Sequence, residues 1–180
     1  MTILCTELMD SFVGKSIVDI CPLGFGKKGD EHNHCAHFVG HVLKLNSSIV
    51  EGTTCAGMTY SGSKYPTAGA LIRVNNIYNI CHDIDVLLDS GCLAYYTVAS
   101  NIDENGFMGT MKKKHVGICI QGFVYNYGNT LDKVRKDPIG GLASLYGKST
   151  ITRYTKLPPQ YTPLTLEEIK ALKPAKAKKA

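Results

Sequence analysis

The sequence predicts an α+β fold, with helices in the first part of the chain and an antiparallel sheet in the second. Three observations favour this class. Apolar residues recur at helical spacing along residues 35–46, and a run rich in β-forming residues covers residues 93–98. Two more such runs flank Gln121-Gly122, a dipeptide that suits a tight hairpin turn. We therefore expect a helix that packs against an antiparallel sheet.

The first part of the chain is predicted to contain two helical regions. Residues 5–20 carry apolar side chains at roughly helical spacing, with a break near Gly14. Those apolar positions are Leu8, Phe12, Ile17 and Ile20. Residues 35–46 form the second predicted helix, with Asn33 as its N-cap and Asn46 as its terminator.

Strands are predicted for most of the second part of the chain. Two apolar runs within residues 70–81 fit a helix and a strand equally well, so both assignments stay open. Residues 115–120 and 123–127 are the predicted strands of the hairpin, and residues 149–154 a further strand. Thr165 is the predicted start of a short helix near the end of the chain.

Length and composition predict one domain over residues 1–168, followed by a basic tail over residues 169–180. The chain has 180 residues, of which 44% are apolar and 19% charged, as in globular proteins. The net charge of +5 comes mainly from five lysines in the segment that begins at Lys170. Such a tail is usually a disordered, solvated end; the alternative is a loose attraction to a polyanion.

The sequence shows neither a membrane span nor a secretion signal. No apolar run approaches the roughly 20 residues that cross a bilayer. Met1 is not followed by the basic and apolar segments of a signal peptide. We therefore expect no membrane span, and synthesis in the cytoplasm without a signal peptide.

Cys35 and His115 are the predicted nucleophile and general base. The seven cysteines are an odd number at irregular intervals, which is typical of buried apolar side chains and not of a disulfide framework. Cys35 differs because it lies in the predicted first turn of a helix, where N–H groups and the helix dipole stabilise a thiolate. His115 opens an apolar strand, from which an imidazole can take a thiol proton. Asn126 on the next strand can orient that imidazole, with Asn129 and Tyr125 as alternatives.

Three blocks of the sequence, taken in order, resemble the NlpC/p60 cell-wall peptidases. They are residues 33–39, which contain Cys35 at a helix start, residues 88–96, and residues 115–118, His-Val-Gly-Ile. The family blocks are a Cys-Ser/Ala-x-Phe/Leu-Val helix start, a Pro-Gly-Asp-Leu-Val-Phe-Phe strand and a His-Val-Gly-Ile-Tyr strand. The resemblance spans about residues 30–130.

This resemblance implies a papain-like α+β fold in which the helix that carries Cys35 packs against the sheet that carries His115. It implies a cysteine hydrolase, an amidase or endopeptidase that cleaves the peptide stems of peptidoglycan, with Asn126 as the third catalytic residue and no cofactor. Without a signal peptide, we expect delivery by a specialised secretion system, as an antibacterial effector, or release by phage lysis. An immunity or inhibitor protein is an expected partner.

Three further residues are predicted to bind the substrate. His34 directly precedes Cys35. Tyr60 and Arg73 lie between the Cys and His blocks, where papain-like folds line the substrate groove. Arg73 is suited to pair with a stem-peptide carboxylate, and an ordinary exposed arginine is the alternative.

A second resemblance supplies an alternative function. Residues 34–39, His-Cys-Ala-His-Phe-Val, are similar to the Asn-Cys-Glu-His-Phe-Val block of the lecithin retinol acyltransferase-like enzymes. In those circularly permuted relatives the catalytic His precedes the Cys. Here Cys35 precedes His115, which favours the hydrolase, with acyl transfer as the alternative. A non-catalytic binding or metal module is a third hypothesis.

Metal and nucleic-acid sites receive little support from the sequence. His37 and His41, four residues apart on the predicted helix, share a face that can bind Zn²⁺. No carboxylate or thiol at a matching spacing completes the set, so we predict no metal site. Beyond the basic tail nothing favours nucleic acid, so we predict no nucleic-acid partner.

Overall fold

A five-stranded antiparallel sheet occupies the second half of the chain. The computed structural model describes residues 4–21, 34–45, 55, 70–88, 90–159, 161, 163 and 165–171. The strands are β1 (Cys92–Val98), β2 (Lys114–Ile120), β3 (Phe123–Gly128), β4 (Lys133–Pro138) and β5 (Thr150–Thr155). Their order across the sheet is β4-β3-β2-β1-β5, and each neighbouring pair is antiparallel.

The helices of the described chain are short and lie mainly before the sheet. They are α1 (Thr6–Asp10), α2 (Ile17–Ile20), α3 (Cys35–Val42), α4 (Val74–Tyr78) and α5 (Leu166–Ala171). Three single 3-10 turns follow strands or precede them, at Ala99–Asn101, Asn129–Leu131 and Gly147–Ser149. Helices and an antiparallel sheet together confirm the predicted α+β class. Within the described ranges, no helix is long and apolar enough to cross a membrane.

The predicted β2–β3 hairpin is confirmed, and its turn explains the tight connection. Ile120 pairs with Phe123, so two residues make the turn. Gln121 has a φ of 47° and Gly122 a φ of 81°. Two consecutive positive φ angles match the right-handed twist of the flanking strands, which is why such turns favour hairpins. This register brings the residues after His115 opposite those that surround Asn126.

The two faces of the sheet pack against different parts of the chain. On the face that we call the helix face, strand side chains join α1, α2, α3 and α4 in the main core. These side chains are Leu93, Tyr95, Val116, Ile118, Ile120, Tyr125, Tyr127 and Val134. The opposite face, which we call the outer face, carries a smaller cluster. Its buried members are Cys92, Ala94, Tyr96, Cys119 and Val124. Cys119 is therefore a core residue.

Helix α3 is almost completely buried between the sheet and the first helices. Phe38 packs edge-on against Phe12 of the α1–α2 region, with ring centroids 5.8 Å apart. A Cβ atom added at Gly40 would lie 2.8 Å from the Cβ of Ala70 and 2.8 Å from the backbone nitrogen of Leu71. Residue 40 must therefore be glycine for the chain near residue 70 to cross the helix this closely.

The ends of the predicted helices agree with the structure in part. Gly14, with a φ of 84°, separates α1 from α2 as expected. His34 occupies the N-cap position of α3, so the predicted cap Asn33 is wrong; Asn33 and Asn46 both lie outside the described residues. At α5, the Thr165 hydroxyl accepts the Glu168 N–H at 3.1 Å, and the Glu168 carboxylate accepts the Thr165 N–H at 2.8 Å. This reciprocal capping confirms the predicted helix start.

Two elements depart from the sequence-based expectations. The undecided residues 70–81 contain the short helix α4, whose Val74, Ile77 and Tyr78 are buried. Strand β4 was not predicted, because charged residues occupy most of Lys133–Pro138 and are depleted in strands. β4 lies at the edge of the sheet, where charged side chains are common because one side of the strand meets solvent. Of the predicted basic tail over residues 169–180, residues 169–171 belong to α5, and residues 172–180 lie outside the described residues.

Candidate active site

Cys35 is the first residue of α3 and is fully buried. Its sulfur accepts hydrogen bonds from the backbone N–H groups of Val116 and Ala36, which places it beside the beginning of β2. Burial raises the pKa of Cys35 to about 11, while those N–H groups and the charge of Lys114 act in the opposite direction. The resting group is therefore a thiol, and its deprotonation at neutral pH requires a base.

His115 belongs to a hydrogen-bonded series of polar side chains on the outer face. Its Nε2 lies 3.0 Å from the Oδ1 of Asn126. The Nδ2 of Asn126 donates to the Oδ2 of Asp137 at 2.8 Å, and Arg135 donates to the Oδ1 of the same carboxylate at 2.6 Å. Three neighbouring strands thus supply an imidazole, an amide and an ion pair. This series of hydrogen bonds connects the buried His115 to the half-exposed Arg135.

The direction of these hydrogen bonds determines the tautomer of His115. An ionised carboxylate only accepts hydrogen bonds, so the Nδ2 of Asn126 must face Asp137. The Oδ1 of Asn126 therefore faces His115, and the Nε2 of that ring must carry a proton. In the neutral ring, Nδ1 is then the basic nitrogen. Burial lowers the pKa of His115, and the contact with Asn126 and the charge of Asp137 oppose that effect.

The three residues proposed to orient His115 occupy different places. Asn126 contacts the imidazole as described. Tyr125 lies on the helix face, where its hydroxyl donates to Asp10 at 2.6 Å. Asn129 accepts the backbone N–H of His34 at 3.1 Å. By geometry, Asn126 is therefore suited to hold the ring, while Asn129 supports the start of α3.

Cys35 and His115 approach the same end of β2 from opposite faces of the sheet. His115 pairs with Tyr96 in the β1–β2 register, and the two rings share the outer face with centroids 6.4 Å apart. Helix α3 packs on the helix face, next to Val116. In this arrangement the thiol of Cys35 and the imidazole of His115 can come together only at the beginning of β2, beside Lys114.

A cavity of about 350 Å³ opens at this end of the sheet, lined by His115, Asn126, Asn129, Leu142 and Tyr146 among others. Tyr146 in this lining is within electrostatic range of Cys35. Burial raises the pKa of the Tyr146 hydroxyl, and a charge on Cys35 adds to that effect. The cavity therefore extends from the imidazole towards the region of the thiol, and it is large enough for part of a peptide chain.

The predicted substrate-binding residues have distinct surroundings. His34 is buried, with its ring edge-on to Tyr127 at 5.7 Å, and it caps α3. Arg73 is exposed; burial lowers the pKa of Lys114, and the charge of Arg73 adds to that effect. Arg73 therefore lies near the beginning of β2, within reach of the site. Tyr60 lies outside the described residues.

Asp137 and Arg135 were missed by the sequence analysis. Both belong to β4, which was not predicted, and Asn126 pairs with Arg135 in the β3–β4 register. Asp137 is two residues further along β4, on the same face. Their spacing was the sequence signal that could have indicated them. Arg135 and Asp137 are two residues apart, and residues two apart on a strand share a face.

A second group of chemically reactive side chains surrounds His37 and His41 of α3. Ligand atoms of Cys21, His37, His41 and Cys55 all lie within 4.8 Å of one another. The sequence analysis found no thiol at a matching spacing, because Cys21 and Cys55 are distant from the two histidines in sequence and adjacent to them in space. Hydrogen bonds from Cys55, and then from His37 and His41, lower the pKa of the Cys21 thiol well below its ordinary value. Burial lowers the pKa of His37 to about 4.

Comparison with protein-family models, with curated proteins and with solved structures found no significant match. The functional assignment therefore rests on the residues and geometry of this chain.

Proposed function

We propose that this chain is a papain-like cysteine hydrolase of the NlpC/p60 type, with Cys35 as nucleophile and His115 as general base. The observation that supports it best is the hydrogen-bonded series His115–Asn126–Asp137, which leaves the Nδ1 of His115 basic. The second support is the position of Cys35 at the start of α3, beside the strand that carries His115.

In the proposed reaction, the Nδ1 of His115 removes the Cys35 proton as the sulfur attacks the carbonyl carbon of an amide. The resulting oxyanion is stabilised by backbone N–H groups at the start of α3, where the N–H groups point out of the helix end. Collapse of the intermediate breaks the C–N bond, and the imidazolium gives its proton to the leaving amine. Water, activated by the same imidazole, then hydrolyses the thioester and regenerates the thiol.

The peptide stems of peptidoglycan are the proposed substrate, from the sequence resemblance to cell-wall peptidases. Arg73 is the proposed contact for a stem-peptide carboxylate, because it is exposed and lies near the beginning of β2. Delivery as an antibacterial effector or by phage lysis, and control by an immunity protein, belong to the same proposal.

Digestion of purified peptidoglycan sacculi tests the proposal directly. Wild type, Cys35→Ala and the control Cys5→Ala are incubated with sacculi, and released muropeptides are identified by mass spectrometry. We expect cleavage by wild type and Cys5→Ala, and none by Cys35→Ala. Cleavage by Cys35→Ala would exclude that residue as nucleophile, and intact sacculi with all three proteins would overturn the cell-wall assignment.

A further inference from the structure

Two thiols and two imidazoles converge on the side of α3 away from the proposed active site. His37 and His41 are one helical turn apart on α3, and their Nε2 atoms lie 3.1 Å from each other. The Sγ of Cys55 lies 3.7 Å from the Nε2 of His41. Cys21, the residue that ends α2, completes the group. Four side chains from three parts of the chain thus place one donor atom each within 4.8 Å of the others.

These distances fit a tetrahedral zinc ion. With Zn–N of about 2.0–2.1 Å and Zn–S of about 2.3 Å, tetrahedral angles place two nitrogens about 3.3 Å apart, and a nitrogen and a sulfur about 3.6 Å apart. The nitrogen–nitrogen and nitrogen–sulfur distances of 3.1 and 3.7 Å lie close to these values. Two thiolates and two imidazoles in such a geometry are a donor set that selects zinc over the harder divalent cations.

The surroundings of the cluster hold its donor atoms in position. The other ring nitrogen of His37, Nδ1, lies 3.2 Å from the Nδ1 of His34, so a proton on His37 Nδ1 puts the lone pair for a metal on its Nε2. The backbone N–H of Ala70 donates to the Sγ of Cys55 at 3.3 Å. Cys21, His37 and Cys55 are buried, and His41 is partly buried. Hydrogen bonds of this kind orient metal ligands in structural sites.

We propose that Cys21, His37, His41 and Cys55 bind one Zn²⁺ ion as a structural site. Four protein ligands fill a tetrahedral coordination shell and leave no position for substrate, so the ion has no direct part in hydrolysis. Its role is to tie the end of α2 and the side chain of Cys55 to α3. Because α3 begins at Cys35 and is capped by His34, the ion also holds the helix that presents the proposed nucleophile.

The metal content of the purified full-length chain tests this proposal without any assay of hydrolysis. Protein produced with zinc in the medium and kept reduced is desalted, and its metals are measured by mass spectrometry. We expect one zinc per chain in wild type and in the controls Cys5→Ser and Cys81→Ser. In Cys21→Ser and Cys55→Ser, zinc should fall to less than about a tenth of that amount under the same desalting. Full retention of zinc by both ligand variants would overturn the proposal.

Spectroscopy of the wild-type chain covers the case in which the ligand variants do not fold. Cobalt(II) added to the reduced, zinc-free wild type should give the visible bands of tetrahedral cobalt and a near-ultraviolet thiolate-to-cobalt band, saturating at one equivalent. Zinc should then displace the cobalt and remove both bands. Absence of these bands, or recovery of a Cys21–Cys55 disulfide as the form present in freshly lysed cells, would overturn the proposal.

Discussion

The Nε2 of His115 lies 3.0 Å from the Oδ1 of Asn126, and the amide of Asn126 is itself fixed by Asp137. The orientation of a buried imidazole is therefore set by a carboxylate that it does not touch. Arg135, at the end of the series, forms an ion pair with Asp137 at 2.6 Å.

Replacing Asn126 should weaken the proposed base without removing it. In Asn126→Ala, His115 loses the acceptor that fixes its tautomer, and Asp137 loses a buried donor. A buried hydrogen bond of this kind contributes about 1–3 kcal/mol, so we expect kcat for muropeptide release to fall roughly 10- to 100-fold. Asn129→Ala, which alters a neighbouring amide that bonds to His34, is the matched control. Equal losses in the two variants would contradict the assignment of Asn126.

Removing the charge of Asp137 should make His115 a weaker base. That charge stabilises the protonated imidazole and so raises the pKa of His115, against the effect of burial. In Asp137→Asn the pKa of His115 should therefore fall, and the acidic limb of the pH–rate profile should move to lower pH. The shift is measured by following the ring signals of His115 by NMR across pH. Asp85→Asn removes an exposed charge as a control, and a similar shift there would point to a general effect of net charge.

Gly117 should be sensitive to substitution because of what lies opposite it. A Cβ atom there would lie 2.6 Å from Val124 Cγ1, 2.9 Å from the carbonyl oxygen of Tyr125 and 3.0 Å from the Cβ of Asn126. Gly117→Ala should therefore destabilise the fold by about 1–3 kcal/mol, and should also displace Asn126 from His115.

Gly40→Ala serves as the comparison for that variant, since its added Cβ meets Ala70 and Leu71 on another side of the core. Both variants should lower the free energy of unfolding in denaturant titrations. The NMR signals of the His115 ring should change in Gly117→Ala and stay close to wild type in Gly40→Ala. Unchanged His115 signals in Gly117→Ala would show that the strand accommodates the methyl group.

Stability should fall in alkaline solution because two cysteines are protonated in the folded state. Burial raises the pKa of Cys35 and of Cys81 to about 11, from an ordinary value of 9.0. The unfolded chain releases these protons near pH 9, so the stabilisation is complete below pH 9 and is lost between pH 9 and 11. Each group accounts for at most about 2–3 kcal/mol.

Denaturant unfolding at pH 8, 9, 10 and 11 measures this loss. Cys81→Ala should lose less stability than wild type across the interval, because it has one titrating group fewer, while Cys5→Ala should follow the wild-type curve. Parallel curves for wild type and Cys81→Ala would mean that the Cys81 thiol titrates alike in the folded and unfolded chains.

Local sequence patterns predicted most of the elements that the structure contains. The β2–β3 hairpin, the strands β1 and β5, the break at Gly14 and the start of α5 each depend on residues that are neighbours along the chain. Periodicity, turn chemistry and capping act over a few residues, so these features are visible without tertiary contacts. The positions of Cys35 at a helix start and His115 near a strand start follow from the same local rules.

Long-range contacts decided the rest. The charged strand β4 is stable because it pairs with β3 at an edge of the sheet, and this pairing alone brings Asp137 to Asn126. Cys21 and Cys55 lie beside the histidines of α3 although both are distant from them in sequence. No short-range pattern records such contacts. The sequence by itself determined the residue types and the local elements, and the packing of distant segments determined which of those residues form a site.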